Sequence, residues 1–225
     1  MYDRHDLRDL GEMSEAQGFT PYDFVIPQII EKTARGERMY DLFSRLMEDR
    51  IVMITGVIND ALSSIVTGQL LFLQKENKNL AISVYVNSPG GDVTAGLAIY
   101  DTMQFVAPEV STVAIGRAAS MGAVLLAGGE KGKRYSLPHC RIMIHQPWGG
   151  IGGTAADIER QAGEALTIKR MLNEILKRHT GRDLNEIERD TDRDHNMSPE
   201  EAKNYGLIDD VITTLKKPKE AEGGA

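Results

Sequence analysis

The alternation of apolar and polar positions divides the middle of the chain into helices and short buried strands. Met39, Leu42, Phe43 and Leu46 recur at helical spacing, and the run I-V-M-I-T at 51–55 follows as a buried strand. Leu62, Ile65, Val66, Gln69, Leu70 and Leu73 trace one face of a second helix, with Asn59 or Asp60 as its cap. The strand A-I-S-V-Y-V at 81–86 runs into the turn N-S-P-G-G, and a helix is predicted from about 93 to 106. V-S-T-V-A-I-G at 110–116 reads as another buried strand. A turn, Arg117-Ala118-Ala119, then leads into a small-residue helix over 120–129. R-I-M-I at 141–144 is a further strand. A long helix spans about 155–179, with Ile158, Ala162, Ala165, Leu172, Ile175 and Leu176 on one face and Gly181 as its stop. Ser198-Pro199-Glu200-Glu201 is a capping box with proline at the first helical position. Strand–helix alternation of this kind predicts an α/β domain with a largely parallel sheet.

The two ends differ from this pattern. Residues 1–23 are polar and charged and are expected to form a mobile extension, and K-K-P-K-E-A-E-G-G-A at 216–225 a loose tail. That leaves 24–215 as a single domain, which a chain of 225 residues with 41% hydrophobic content can fill with one core. The formal charge of −7 argues against a broad nucleic-acid or anionic-membrane surface. Cys140 is the only cysteine, so no internal disulfide and no cysteine-based zinc site is expected, and no metal is assigned. No apolar run approaches the ~18 residues of a membrane span, and the first residues carry no apolar secretory block. A soluble, cytoplasmic protein is the expectation.

Among side chains able to do chemistry, Ser120 stands out by its setting: it follows a buried strand and opens a helix, where free N–H groups and the positive dipole end gather. Small neighbours, Ala118, Ala119 and Gly122, leave room for a substrate backbone, although alanine stands where a nucleophile elbow has its first glycine. Serine is also a favoured helix N-cap, which is the competing reading. His145 ends the strand R-I-M-I and precedes Gln146-Pro147, which places it at the same carboxyl rim of the sheet, where a base near neutral pH is useful. The other histidines are weaker: His5 lies in the extension, His179 at a helix C-terminus where a dipole role suffices, and His139 and His195 in polar turns. Asp190, Asp192 and Asp194 crowd one charged stretch, and spacing does not choose among them as a partner that holds the histidine tautomer. The Pro89-Gly90-Gly91 turn reads either as plain punctuation or as a place where Gly90 offers its N–H to an oxyanion. Gly149-Gly150-Ile151-Gly152-Gly153 is no phosphate loop: no strand leads into it and no Lys-Ser/Thr follows. As an extended segment it can instead pair its backbone with a peptide.

The segments N-S-P-G-G, A-A-S-M-G, G-K-R, L-P, M-I-H-Q-P and D-T-D-R-D, with the order Ser, His, Asp, closely resemble the proteolytic subunit of the Clp protease from about Ile26 to Ile212. The resemblance implies a serine endopeptidase with a crotonase-like fold of repeated strand–strand–helix units and a protruding handle helix at about 146–180. It implies Ser120 as nucleophile, His145 as base, Asp194 as the orienting carboxylate, and backbone oxyanion donors at Gly90 and Met121. Asp192 and Arg193 match positions used in ring-to-ring pairing. Tyr85 and Phe105 match a surface pocket that grips the unfoldase. The assembly implied is a homo-oligomer of two stacked heptameric rings around a closed chamber. An AAA+ unfoldase of the ClpX, ClpA or ClpC type would deliver unfolded proteins there. No cofactor is implied in this chain, since ATP is used by the partner, and no nucleic acid or membrane is involved.

Several positions depart from the family pattern. Thr154 replaces a usual glutamine and is expected to alter handle contacts; Asp92 replaces an apolar or small residue and is expected to alter peptide preference; Ser83 replaces an aromatic of the unfoldase pocket. The extension is longer than many in the family, and the resemblance implies its removal before a residue near Phe24. Two other classes compete: a non-catalytic ring subunit that scaffolds active partners, and an acyl-CoA hydratase on the same fold, for which no CoA pocket is legible.

Overall fold

The computed structural model describes residues 26–33, 36–150 and 152–214. The extension at 1–23, the processing point near Phe24 and the tail at 216–225 lie outside the described residues.

A hairpin of β1 (Gln28–Thr33) and β2 (Gly36–Asp41) leads to a short helix α1 (Leu42–Glu48). Asp41 caps that helix by accepting from the N–H groups of Phe43 and Ser44. The helix therefore starts after Met39, which sits exposed in β2 and has no part in the helical face its spacing predicts. Alternation then proceeds through β3 (Ile51–Thr55), α2 (Asp60–Glu76), β4 (Ile82–Ser88), α3 (Val93–Phe105), β5 (Val110–Ala119) and α4 (Met121–Ala127). After it come β6 (Arg134–Ser136), β7 (Arg141–Ile144), α5 (Ala155–Thr180), α6 (Leu184–Asp190), β8 (His195–Met197), α7 (Pro199–Tyr205) and β9 (Asp210–Val211).

Strands β3 to β9 form one seven-stranded sheet, parallel except where β8 runs antiparallel to β7. This is the expected α/β class. Val52, Ile54, Val84 and Val86 are fully buried against Leu62, Val66 and Leu70 of α2, Ile99 of α3 and Leu125 of α4. Asn59 caps α2, and Ser63 takes a buried place on the helix while Ile65 is exposed, so the buried face is rotated from the one predicted.

The feature that shapes the carboxyl end of the sheet is a bulge in β5. Val86 pairs with Ala114 but Ser88 pairs with Ala118, so β5 carries extra residues around Gly116, whose φ is 69°. Before the bulge β5 pairs with β6; beyond it, Arg117–Ala119 pairs with β7. The segment Arg117-Ala118-Ala119 is thus strand, not the turn expected. The glycine bends the strand and lets the sheet fork without ending it.

Helix α5 carries a reciprocal capping box between Thr154 and Asp157 and stops at Gly181 with φ 77°. Leu172, Asn173, Ile175 and Leu176 are its buried residues, whereas Ile158 and Leu166 are exposed, so its first half projects from the body. The capping box expected at Ser198–Glu201 is present on α7. No described helix is long and apolar enough to cross a membrane.

Candidate active site

Ser120 follows directly on β5 with φ 54° and ψ −124°, a backbone conformation unusual for a side chain with a Cβ. It precedes α4 but makes no capping hydrogen bond. Its N–H donates to the Met143 carbonyl at 2.8 Å, which fastens it to β7. The hydroxyl is therefore free of the helix and stands 2.9 Å from His145 Nε2.

Strand register brings the three side chains together. Ala119 pairs with Met143 in the parallel β5–β7 ladder, so Ser120 and His145 both leave the sheet at its carboxyl edge. Ile144 pairs with His195 in the antiparallel β7–β8 ladder, so the residue just beyond each, His145 and Asp194, meet as neighbours. His145 Nδ1 lies 2.9 Å from Asp194 Oδ1. An ionised carboxylate only accepts, so Nδ1 carries the proton and donates it to Asp194. Nε2 of the neutral ring is then the acceptor for the Ser120 hydroxyl. A buried strap holds this corner: Gln146 N–H donates to the Thr191 carbonyl at 2.6 Å, and the Thr191 hydroxyl lies 3.2 Å from Asn173 on α5.

Of the three aspartates left open by spacing, geometry selects Asp194. Asp190 accepts from Tyr205 Oη at 3.0 Å, and Asp192 pairs with Arg193 at 3.4 Å. Arg193 and Asp192 are both exposed. Tyr85 is half-buried in β4, in register with Met53 and Val113, and Phe105 is exposed at the end of α3; neither borders the Ser120 cavity.

The glycine turn requires one correction. Gly90 N–H, expected to face an oxyanion, donates to Ser88 Oγ at 3.0 Å, inside the protein. The amides of Gly91 and Met121 have no acceptor among the described residues, and both residues line the cavity that contains Ser120 and His145. Gly91 has φ 152°, and a Cβ there would lie 2.2 Å from the Ile58 carbonyl oxygen, so only glycine lets this strand-like bridge to Ile58 form. The doubled glycine in N-S-P-G-G was the available signal; which amide turns outward depends on the buried Ser88 hydroxyl.

Two histidines also differ from expectation. His195 begins β8 and packs its ring on Tyr205, with centroids 5.7 Å apart. His179 shares a hydrogen bond of 2.7 Å between its Nε2 and Tyr100 Oη. Burial, then Arg134 and Arg178, push its pKa down to about 4, so it is uncharged near neutral pH and plays no charge–dipole role. Among the described residues no group of His, Cys, Asp and Glu is arranged to hold a metal ion.

A cavity of about 490 Å³ brings together a hydroxyl, an imidazole acceptor and two outward amides, with the Asp194 carboxylate bonded to the far side of the imidazole. Such a set suits nucleophilic acyl transfer. The family model described as Clp protease matches residues 34–215, a span that contains Ser120, His145 and Asp194. The chain belongs to the Clp protease family and is a peptidase of the Clp type.

Proposed function

We propose that the protein is a serine endopeptidase that cleaves unfolded proteins to short peptides by acyl transfer. The observation that carries this reading is the continuous hydrogen-bonded line from Ser120 Oγ to His145 Nε2 and from His145 Nδ1 to Asp194 Oδ1, 2.9 Å at each step. Ser120 attacks the peptide carbonyl while His145 takes its proton, and the tetrahedral oxyanion accepts from the N–H groups of Gly91 and Met121. His145 then protonates the leaving amine, and water releases the acyl-enzyme with the same groups in reversed roles. Asp194 keeps the ring in the tautomer that accepts at Nε2 and stabilises the imidazolium that forms.

The wider assembly is part of the same reading. Residues 24–215 act as one protease domain, and the handle at about 146–180 joins two heptameric rings of this chain; the exposed Ile158 and Leu166 on α5 fit an interface open in the single chain. Asp192 and Arg193, exposed and paired within the chain, exchange partners between rings. An AAA+ unfoldase docks at a surface that includes Tyr85 and Phe105 and consumes the ATP, so this chain needs no cofactor.

Labelling the assembled protein with a fluorophosphonate tests the chemistry. The adduct is expected on the peptide containing Ser120 and absent from the Ser120→Ala variant. A folded, assembled protein that takes no label would favour the non-catalytic ring subunit instead.

A further inference from the structure

The cavity beside Ser120 has an apolar floor made by Met121, Val124, Leu172 and Leu176, all buried. The ionisable side chains on its wall are Asp92 and His145; no described lysine or arginine lines it. Asp92 caps α3, its Oδ1 accepting from Ala95 N–H at 2.7 Å. The cap pins the carboxylate at the rim. No described cation forms an ion pair with it. The adjoining cleft, which shares His145 and Trp148 with this cavity, carries Asp192, Asp194 and Arg193, whose guanidinium is turned onto Asp192. Across the two adjoining clefts, three carboxylates stand against one guanidinium. Trp148 borders both clefts.

Resting on the reading of Ser120 as nucleophile, we propose that this site favours peptides carrying a lysine or arginine side chain beside the scissile bond. The methylene stem lies on the apolar floor and the cationic head is held at the rim by Asp92. Long cationic side chains bury their stems while keeping the charge near water, which matches a greasy floor under a charged lip. The Trp148 ring adds a face on which the same cation can rest. An aliphatic residue fills the floor but leaves Asp92 to water, and an acidic residue meets like charge.

The test uses the assembled protein and peptidyl-coumarin substrates that differ only in lysine, Nε-acetyl-lysine, leucine or glutamate at the cleaved position. Acetylation removes the charge and keeps the stem. The lysine substrate is expected to exceed acetyl-lysine in kcat/KM by roughly fivefold, the size of one partly exposed charge pair. That ratio should shrink as salt is raised, since rim charges are screened. Asn retains the helix cap without the charge, so in Asp92→Asn the lysine to acetyl-lysine ratio should fall to about 1. Equal rates for the two substrates in the unsubstituted protein, a ratio indifferent to salt, or a ratio that survives Asp92→Asn would each overturn the proposal. Leucine-peptide cleavage separates the two levels. If it is abolished by Ser120→Ala while no lysine preference exists, the specificity inference alone fails; if it persists in Ser120→Ala, the nucleophile assignment fails and the specificity inference falls with it.

Discussion

Gly90 and Ser120 are in mutual contact: a Cβ added to Gly90 would lie 2.6 Å from Ser120 Cβ and 3.1 Å from its Oγ. The same Cβ would come 2.9 Å from the Ala119 carbonyl, and Gly90 has φ 95°. The turn after β4 and the end of β5 thus press together at Ser120. Gly90→Ala must displace Ser120 or the turn, in a place where misplacement of about 1 Å costs on the order of 10²-fold in rate. Overpacking of this kind also costs about 1–3 kcal/mol of stability. We expect both losses, in kcat/KM and in the unfolding midpoint; wild-type activity in this variant would show that the contact is slack.

Ser88 is fully buried, and its hydroxyl donates to the Gly56 carbonyl at 2.6 Å while accepting from Gly90 N–H. Ser88→Ala leaves both backbone groups unpaired, at a cost of about 1–3 kcal/mol. It also frees Gly90 N–H and loosens the turn that aims the Gly91 amide. The expected kinetic signature is a fall in kcat of roughly tenfold with KM little changed, because the oxyanion forms only in the transition state. A rise in KM with kcat intact would place the hydroxyl in substrate binding instead.

Asp194 is 65% exposed at its side chain, so its replacement should leave the fold intact. In Asp194→Asn the amide can donate to Nδ1, which favours the tautomer with its proton on Nε2 and removes the acceptor for Ser120. A drop in kcat on the order of 10⁴-fold is expected, with stability within about 0.5 kcal/mol of the parent. Peptide hydrolysis and denaturant midpoints measured on one preparation separate the two effects. A mild kinetic loss would mean that the imidazole is oriented by other groups.

The sequence made the strand and helix cores legible because their periods are set by burial: Val52 and Ile54, or Leu172, Ile175 and Leu176, face one way and are buried. It also made Ser120 and His145 legible, since each ends a buried strand. Gly116 misled, because a glycine after an apolar run signals a turn as readily as a bulge, and only the competing partners β6 and β7 decide between them. Asp194 could not be told from Asp190 and Asp192 by spacing, because the choice is made by an antiparallel register whose strand β8 is three residues long. The amide that faces the cavity lies one residue further along for a similar reason. A buried serine hydroxyl in the same turn claims the first glycine.

His179 shows how burial can reverse a local reading. Its ring lies against Tyr100, with Arg134 and Arg178 close by, and its pKa is pushed down to about 4 from an ordinary 6.5. Between those values the unfolded chain takes up a proton that the folded chain refuses. The stabilising contribution is therefore fully present above about pH 6.5 and is lost as the pH falls toward about 4. With solvent screening allowed for, the loss amounts to about 2 kcal/mol at most. Asp209 does not confuse this window. Burial works against its ionisation, but hydrogen bonds and charge from Arg134 outweigh that and hold its pKa below the ordinary carboxylate value, so it loses its contribution only at lower pH. Urea midpoints of the parent and of His179→Gln, compared at pH 7 and pH 5, isolate the imidazole, because glutamine can keep a hydrogen bond to Tyr100 without titrating. The parent should lose more stability than the variant across that interval. Equal losses would mean that the ring takes up its proton in the folded state as easily as in the unfolded one.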